Sequence, residues 1–421
     1  QGASGLPVGL FAPHISPDDA PLSRLSRAGL RSTRRLAARL LRHGLDWQDS
    51  GVLEHRIGKR LGLPAHGAPT APSAPEQPPA DQPAAPQMAS QASRPAQPSQ
   101  RLAAGLDRAE PNTAQPPQQG QHPAVWHAEA GWLRPAALVQ RLLQHPQITL
   151  RTRCRVQGIA PVTPSNTEQP SSAPAPQRWQ VLVQADAAGS DQALEADCLV
   201  IAAAFDSQAL AQPWADARLP LNPVRGQIAW GIAAPDPAGP AWPAMPVNGK
   251  GSFVHIPLPS DFSPPGQRAI QHGHAIGAAQ PLRLWVSGAT FEREAPLAAP
   301  SAEAVAAAWQ QNRQRLSLLM PAAGPALAQH LFQHSAQGPQ HWGAVRCTTP
   351  DRTPCYGPIG PQAANVLLAT GLGARGLTLA TLCAEIVCAL LHDEPLPVAR
   401  QLAALVLSSR LPVAATTATP R

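Results

Sequence analysis

A glycine turn between an apolar strand and an apolar helix is the feature that most constrains the fold of this chain. Residues 365–370 read NVLLAT, which predicts a short buried strand, and the next six residues are GLGARG. Residues 377–391 are apolar on nearly every face, as in a buried helix. Such a turn forms an anion site, because free N–H groups and the positive end of the helix dipole point towards its occupant. Arg346 and Asp351 precede the turn, so we expect a guanidinium that can hold a carboxylate beside it.

The spacing GxGxxG within this turn also occurs in nicotinamide-binding βαβ units. Such a unit needs a second strand after the helix, with an acid near the end of that strand. Here the helix is followed by HDEPLP and then by a further helical pattern. We therefore reject a nicotinamide fingerprint, and a simple packing turn remains the alternative to an anion site.

Arginine carries almost all of the positive charge, since Lys59 and Lys250 are the only lysines and the formal net charge is +7. A helix is predicted to begin at SPDD, near Ser16, and to end at about residue 43. Its arginines cluster on one arc with no acid among them, which favours contact with phosphate groups of a partner. A solvated helix face is the alternative interpretation. The candidate phosphate-binding residues are Arg24, Arg27, Arg31, Arg35 and Arg42.

The six cysteines form no CxxC pair and lie in apolar patterns, which predicts small buried side chains in a reducing cytoplasm. We expect no metal site, since no histidine stands at ligand spacing from Cys383 and Cys388. No apolar run reaches membrane-spanning length, so neither a membrane partner nor a location outside the cytoplasm is expected.

The order of predicted elements indicates a mixed α/β protein (α+β mixed) with two lobes. Residues 64–123 are rich in Pro, Ala, Gln and Ser and are predicted to form a disordered insertion, and residues 411–421 a disordered tail. Residues 216–343 show strand patterns and one helix that predict a lobe built on an antiparallel sheet. Residues 199–204 are continuously apolar, as in a central parallel strand of the other lobe. That first lobe is assigned to residues 1–63, 124–215 and 344–410.

Six motifs in order resemble the DAO-type FAD-dependent amine oxidoreductases, the family of glycine oxidase and sarcosine oxidase. The motifs are GASGLPVGLFAPHISPDDAPLSRLSRAG, GWLRPAALVQRLL, NPVRGQIAW, WVSGATFERE, VRCTTPDRTPCYGPIG and ATGLGARGLTLATLCAEIVCALL. They cover most of the chain outside the insertion. The resemblance implies a flavoprotein of the glutathione-reductase type, in which a Rossmann-like FAD lobe is built from separated segments and an antiparallel sheet forms the substrate lobe.

By this resemblance FAD is the cofactor, and its contacts follow motif by motif. The first loop is expected at the pyrophosphate and flavin, a strand after the GWLRP helix at adenine, and the glycine turn at the flavin pyrimidine edge. The implied FAD-binding residues are Ala3, Ser4, Gly5, Gly9, Leu10, Val156, Gly373, Ala374, Arg375, Gly376 and Leu377. Arg346 matches the position at which glycine-oxidising members hold the substrate carboxylate, and would be the catalytic residue here. An ion pair between Arg346 and Asp351 is the alternative role.

Within the family, the first and last motifs are most similar to oxidase domains that follow a methyltransferase domain and act on tRNA. The implied reaction removes the carboxymethyl group from carboxymethylaminomethyl-(2-thio)uridine at the wobble position, giving aminomethyluridine and glyoxylate, with dioxygen as electron acceptor. An oxidase of free glycine- or sarcosine-like amines and a non-catalytic RNA-binding remnant remain as alternatives.

Two departures from the family pattern stand out. Family members begin with a strand–GxGxxG–helix unit that binds the ADP part of FAD, and the present sequence starts just downstream of it, as either a fragment or a gene model with a wrong start. A methyltransferase domain is expected upstream in the full-length protein. Ala204 stands where related sequences have glycine after the apolar strand. A methyl group at that position is expected to crowd the cofactor.

Overall fold

The computed structural model of the protein describes residues 2–56, 108–109, 123–162, 177–185, 191–215, 219–262, 281–293, 298–333 and 339–411. The predicted disordered insertion and tail lie outside these ranges, apart from residues 108–109, 123 and 411. Their predicted disorder therefore stays a prediction.

Within the described ranges the chain forms seven α-helices and four β-sheets. The α-helices are α1 (Pro21–Leu40), α2 (Pro135–Leu143), α3 (Ser207–Ala211), α4 (Ala302–Leu319), α5 (Gly324–Gln333), α6 (Gly376–Leu391) and α7 (Arg400–Ala404). The strands are β1 (Gly9–Phe11), β2 (Trp47–Gln48), β3 (Val52–His55), β4 (Arg108–Ala109), β5 (Ala124–His127), β6 (Gly131–Leu133), β7 (Cys154–Pro161), β8 (Trp179–Ala185), β9 (Gln192–Ala196), β10 (Leu199–Ile201), β11 (Asn222–Ala233), β12 (Val247–Gly249), β13 (Gly251–Pro257), β14 (Arg283–Gly288), β15 (Gln340–Thr348), β16 (Cys355–Pro358) and β17 (Val366–Thr370). None of these helices combines the length and apolar composition needed to cross a bilayer.

The largest sheet has the strand order β15–β11–β14–β13–β12–β3–β5–β4 and is antiparallel except for the β12–β3 pair. Its apolar side chains alternate between two faces, as the period of a strand requires. One face packs on α4 in a cluster that includes Phe253, Trp285 and Leu316. The opposite face packs on β6 and the segment before β1, through Trp230 and Trp132. The sheet is therefore covered on one side by a helix and on the other by the lobe that contains the glycine turn.

The second sheet that matters for the site has the order β10–β17–β16 and contains the only parallel pair of that sheet, β10 with β17. The parallel pairing predicted for residues 199–204 is confirmed over Leu199–Ile201. The predicted central position is wrong within the described ranges, because β17 takes it and β10 lies at the edge. Val200 is consequently 55% exposed.

The start of α1 differs from the prediction. Asp19 adopts a left-handed backbone (φ 47°), and the Ser16 hydroxyl accepts a hydrogen bond from the Ala20 N–H at 3.0 Å. These contacts fold the SPDD segment into a turn, and the helix begins only at Pro21, whose missing N–H is not needed at the first helical position. The helix ends at Leu40, three residues before the predicted end.

Three of the six cysteines are not buried. Cys347, Cys355 and Cys383 are buried as predicted, but Cys154, Cys198 and Cys388 are exposed. Cys154 opens β7, Cys198 lies between β9 and β10, and Cys388 is on the outer side of α6, so apolar neighbours in the sequence do not cover them.

A close contact between α1 and α6 sets the position of the glycine turn. A Cβ atom on Gly29 would lie 2.2 Å from the Thr378 carbonyl oxygen, so only glycine permits this approach. The Thr33 hydroxyl donates to the Leu377 carbonyl at 2.8 Å. These contacts hold the first turn of α6 against α1.

A buried carboxylate stabilises the pairing of β3 with β5. Glu54 accepts hydrogen bonds from Arg56 at 2.8 Å and contacts His127 Nε2 at 2.9 Å. Burial alone would raise the pKa of Glu54, but the bond to His127 and the Arg56 charge outweigh it and lower the pKa to about 2. Because the pKa in the folded state is depressed, the ionised carboxylate stabilises the fold above pH ~4.5 and that contribution is lost as the pH falls towards 2.

We expect Glu54→Gln to lower the free energy of unfolding by about 3 kcal/mol at pH 7, since the difference of about 2.5 pKa units is lost. The difference in the free energy of unfolding between wild type and variant should narrow by about 1 kcal/mol at pH 3.5, where the unfolded glutamate is largely protonated. Denaturant unfolding at both pH values measures this. Glu394→Gln, which changes an exposed glutamate, is the control and should leave the free energy of unfolding at pH 7 close to that of wild type. A difference in the free energy of unfolding that stays constant with pH would contradict the stabilising role of ionised Glu54.

Candidate active site

The glycine turn and the strand of Arg346 are fastened together. Gly371 (φ 78°) and Gly373 (φ 56°) both adopt left-handed backbone conformations, which explains why glycine is needed between β17 and α6. The Gly373 N–H donates to the Cys347 carbonyl at 2.8 Å. Arg346 is the neighbour of Cys347 on β15, so the backbone of the predicted carboxylate-binding residue is fixed next to the turn.

The N-terminus of α6 faces the loop around β1. The first N–H of α6 with an acceptor in the described ranges is that of Thr378, which donates to Arg375 at 3.1 Å. The N–H groups of Gly376 and Leu377 are therefore available to a ligand, as at helix N-termini generally. The Thr378 hydroxyl donates to the Ala12 carbonyl at 3.1 Å, which holds the end of β1 against this helix.

Gly9 lies close against the first turn of α6. A Cβ atom there would lie 2.8 Å from Leu377 Cδ1 and 2.9 Å from Leu6 Cδ2. The turn Ala3–Gly5 lies beside β15 and α2. The structure thus brings the two ends of the predicted FAD site, the first loop and the glycine turn, to the same place.

The guanidinium of Arg346 is half-buried, and no described residue offers it a carboxylate partner. Its Nη1 donates to the Thr290 carbonyl at 3.1 Å, and its Cζ lies 4.6 Å from the centre of the Phe291 ring. Within the described ranges no carboxylate oxygen lies within 4.0 Å of it. Burial lowers the pKa of Arg346, the nearby Arg315 charge lowers it further, and Glu292 acts in the opposite sense. An arginine remains charged under such shifts, so the site is electropositive.

The alternative role for Arg346, an ion pair with Asp351, is not found. Asp351 instead pairs with Arg410 at 3.2 Å and accepts a hydrogen bond from the Thr353 N–H at 3.0 Å. That loop turns away from β15 because Asp351 caps its own turn. Among the described residues no acid pairs with the Arg346 guanidinium, which leaves it available to the carboxylate of a ligand.

A buried polar network supports the segment that carries the Arg346 acceptor, and the sequence did not predict it. The Thr290 hydroxyl donates to Glu292 Oε1 at 2.6 Å, and Gln227 Nε2 donates to the same oxygen at 2.8 Å. The Gln227 N–H donates to the Thr290 hydroxyl at 2.9 Å. Gln227 and Thr290 are each 1% exposed. The motif WVSGATFERE contains two of these residues, but their partner on β11 lies about 63 residues away, as the Gln227–Thr290 separation shows.

Two other positions singled out in the sequence are Val156, on a different sheet from the turn, and Ala204, which contacts the residue before the turn. Val156 is on β7, an edge strand of the sheet β7–β8–β9, and the register shifts between Val156 and Gly158. An edge strand with a bulge leaves main-chain groups unpaired, which is what main-chain contact with adenine requires. Ala204 adopts φ 52°, in the region that favours glycine, and its carbonyl accepts the Thr370 hydroxyl at 2.8 Å.

The predicted arginine cluster divides into paired and unpaired members. Arg27 is buried and pairs with Asp19 at 2.5 Å. Arg42 lies beyond α1 and pairs with Asp46 at 2.8 Å and with Asp261 at 2.9 Å. The prediction that Arg27 and Arg42 contact phosphate is therefore unsupported, because acids from other segments neutralise both.

The remaining three, Arg24, Arg31 and Arg35, are exposed and line one cleft of about 390 Å³ between α1, α6 and the segment before α7. No carboxylate of the described ranges lies within 4.0 Å of their guanidinium groups. We call these three residues the arginine face. Glu385 also lines the cleft, where it accepts a hydrogen bond from the Ser32 hydroxyl at 2.7 Å.

Comparison with known proteins gives three findings. Residues 1–390 match the family described as DAO: FAD dependent oxidoreductase. The chain is 39% identical over 419 residues to the tRNA 5-methylaminomethyl-2-thiouridine biosynthesis bifunctional protein MnmC of Paracidovorax citrulli (strain AAC00-1), covering 98% of this chain and 55% of that protein. It is 40% identical over 420 residues to the MnmC of Verminephrobacter eiseniae (strain EF01-2), covering 97% and 58%. The chain thus spans about half the length of the curated relatives it matches.

Among solved structures, the fold is similar to glycine oxidase from Geobacillus kaustophilus, with a TM-score of 0.57 and 15% identity over 98% of this chain and 90% of that one. Iminodiacetate oxidase (IdaA) from Chelativorans sp. BNC1 gives a TM-score of 0.56 and 16% identity over 97% and 90%. At this identity the likeness concerns the fold. The predicted mixed α/β class, with a Rossmann-like FAD lobe and a sheet lobe, is confirmed.

Proposed function

Because this chain belongs to the DAO family of FAD-dependent oxidoreductases, we propose that it oxidises the carboxymethylamino group of a modified wobble uridine in tRNA. The products would be aminomethyluridine and glyoxylate. The observation that carries the proposal is the unpaired guanidinium of Arg346 on the strand that is hydrogen-bonded to the glycine turn.

The residues at the turn fit the cofactor of the family. The free N–H groups at the start of α6 suit the pyrimidine edge of a flavin, where negative charge develops on reduction. Gly373, Ala374, Arg375, Gly376 and Leu377 would hold that edge, and Ala3, Ser4, Gly5, Gly9 and Leu10 the adjoining part of FAD. Val156 would contribute its main chain to adenine. Bound FAD supplies the two-electron acceptor of the reaction.

Arg346 would bind and orient the substrate. A guanidinium grips a carboxylate with two parallel N–H···O bonds, so the carboxymethyl group is held in one orientation. Thr290 and Phe291 restrain the guanidinium itself. Loss of a hydride from the carbon next to the carboxylate, with loss of the amine proton, leaves a C=N bond. Water then adds to that carbon and the C–N bond breaks, which releases glyoxylate, while dioxygen accepts the two electrons and leaves as hydrogen peroxide.

The RNA part of the proposal is supported by the named relatives and by the arginine face. Both relatives are named for the biosynthesis of a modified uridine in tRNA. Three unpaired arginines along one cleft suit phosphate groups of an RNA backbone, which a free amino acid does not have. The substrate is therefore proposed to be RNA-borne, with dioxygen as the second substrate.

The proposal predicts that the FAD-loaded protein loses its flavin colour anaerobically when mixed with tRNA that carries carboxymethylaminomethyluridine. Mass spectrometry of the digested tRNA should then show aminomethyluridine, and glyoxylate should appear in equal amount. tRNA with an unmodified wobble uridine is the control and should leave the flavin oxidised.

Two other outcomes would overturn the proposal. Oxidation of sarcosine with a kcat/KM at least equal to that of the modified tRNA would indicate an oxidase of free amines. A protein that binds tRNA but stays colourless with ample FAD would indicate a non-catalytic RNA-binding protein.

A further inference from the structure

Phe291 is a large apolar side chain in an unusual place. It is 58% exposed, although it directly follows the buried Thr290. Single exposed hydrophobic residues are common on protein surfaces, so exposure alone has no meaning. The exposure of Phe291 is informative because of the neighbouring residue, since the Arg346 guanidinium carbon lies 4.6 Å from the ring centre.

The Arg346 guanidinium packs closely against two groups, the Phe291 ring and the Gly226 backbone. A Cβ atom on Gly226 would lie 2.3 Å from Arg346 Cζ, so the guanidinium rests directly against the Gly226 backbone. Arg346 is held there by the Thr290 carbonyl. Phe291 therefore contacts the substrate-binding cation while most of its own surface faces solvent.

We propose that the exposed surface of the Phe291 ring stacks on the uracil ring of the substrate while Arg346 holds the carboxylate. The inference rests on the proposed function and adds a residue that selects the base. Aromatic side chains are common stacking partners for unpaired bases in RNA recognition, because every base has a π-face.

The length of the substrate limits how both contacts can form at once. Four single bonds separate the carboxylate carbon from C5 of the uracil ring, which spans about 5 Å when extended. The guanidinium carbon lies 4.6 Å from the centre of the Phe291 ring, so the side of the ring next to it is already covered. The base would therefore stack on the exposed part of the ring near its edge, and the CH₂–NH group would pass that edge to reach the guanidinium.

The arrangement predicts a preference for amines attached to a base. Sarcosine has the carboxylate and the secondary amine but no ring, so it would gain nothing from Phe291. The nucleoside 5-carboxymethylaminomethyluridine has the ring but no RNA backbone, so its oxidation reports stacking without phosphate contacts. Comparing these two probes isolates the contribution of the base.

The test uses the FAD-loaded protein and its Phe291→Leu and Phe291→Tyr variants. We expect Phe291→Leu to raise the KM for the nucleoside about ten- to a hundredfold, the range of base–aromatic stacking, with little change for sarcosine. Phe291→Tyr keeps a ring and should restore the wild-type KM. Leu318→Ala removes a side chain of the same lobe that is also 58% exposed, and should change neither substrate.

A binding measurement complements the kinetics. The nucleoside 5-carboxymethyluridine has the base and a carboxylate but no amine to oxidise. Equilibrium dialysis should show its Kd rising in Phe291→Leu by a factor similar to that of the nucleoside KM. Acetate, which lacks the base, should compete with it equally well in wild type and variant.

The outcomes of these experiments distinguish a failure of the Phe291 stacking from a failure of the proposed function. Equal losses for sarcosine and the nucleoside would make Phe291 a support for Arg346 only, and no loss for either would remove it from the site. Both results overturn the stacking while leaving the proposed function intact. A wild-type protein that oxidises sarcosine but neither the nucleoside nor modified tRNA would overturn the proposed function, and the stacking with it.

Discussion

Replacing Arg346 with alanine is expected to lower kcat/KM for carboxylate-bearing amines about ten- to a hundredfold while flavin stays bound. The guanidinium has no carboxylate partner in the described ranges, so the variant loses a substrate contact and leaves no acid unpaired. A hydrogen bond to a charged group is worth about 1.5–3 kcal/mol, which corresponds to that range of rates. The loss should lie mainly in KM, because the contact exists before the reaction begins. Steady-state kinetics and the flavin absorbance after gel filtration measure the two effects.

Two variants test the reason for the loss. Arg346→Lys keeps the charge but not the planar fork, so it should recover only part of kcat/KM. Asp351→Asn removes the acid that was the alternative partner predicted for Arg346 from the sequence. Since Asp351 pairs with Arg410, this variant should leave the kinetics unchanged. Wild-type kinetics in Arg346→Ala would remove the residue from the site.

The parts of the fold that depend on local sequence were predictable. The strand and helix around the glycine turn are found at Val366–Thr370 and Gly376–Leu391, within one residue of the predicted bounds. A left-handed backbone position calls for glycine, and a buried helix shows an apolar periodicity. Both signals lie within a few consecutive residues of the sequence. The position of Arg346 beside the turn followed from the order of the motifs.

The parts that depend on distant partners were not predictable from one sequence. The segment Thr290–Glu292 owes its position to Gln227 on another strand, and nothing in the local pattern indicates that bond. Arg27 and Arg42 looked equivalent to the rest of the arginine cluster. Asp261, which neutralises Arg42, is separated from it by 219 residues. Charge on a helix face is visible in sequence, whereas its neutralisation is a tertiary property.

The second large effect is expected on the affinity for tRNA when the arginine face is removed. Replacing Arg24, Arg31 and Arg35 together with alanine should weaken tRNA binding roughly ten- to a hundredfold at low salt, since three cations and their released counterions are lost. The dependence of log K on log salt should become shallower by about 2, because each contact with single-stranded RNA contributes about 0.7. Filter binding or fluorescence anisotropy at several salt concentrations measures both numbers. Oxidation of sarcosine should be unchanged, since the α6 residues that line the cleft, Leu382 and Glu385, lie six and nine residues beyond Gly376 at the start of that helix.

A matched variant separates location from net charge. Arg141, Arg151 and Arg153 are also exposed and have no carboxylate within 4.0 Å in the described ranges, and their triple replacement with alanine removes the same charge from α2 and the loop that follows it. If binding depends on the arginine face, this second triple variant should retain most of its affinity and salt dependence. Equal losses in both variants would mean that tRNA responds only to the total charge. Unchanged binding in the first variant would show that the cleft between α1 and α6 does not contact RNA, and the arginines there would then be a solvated helix face.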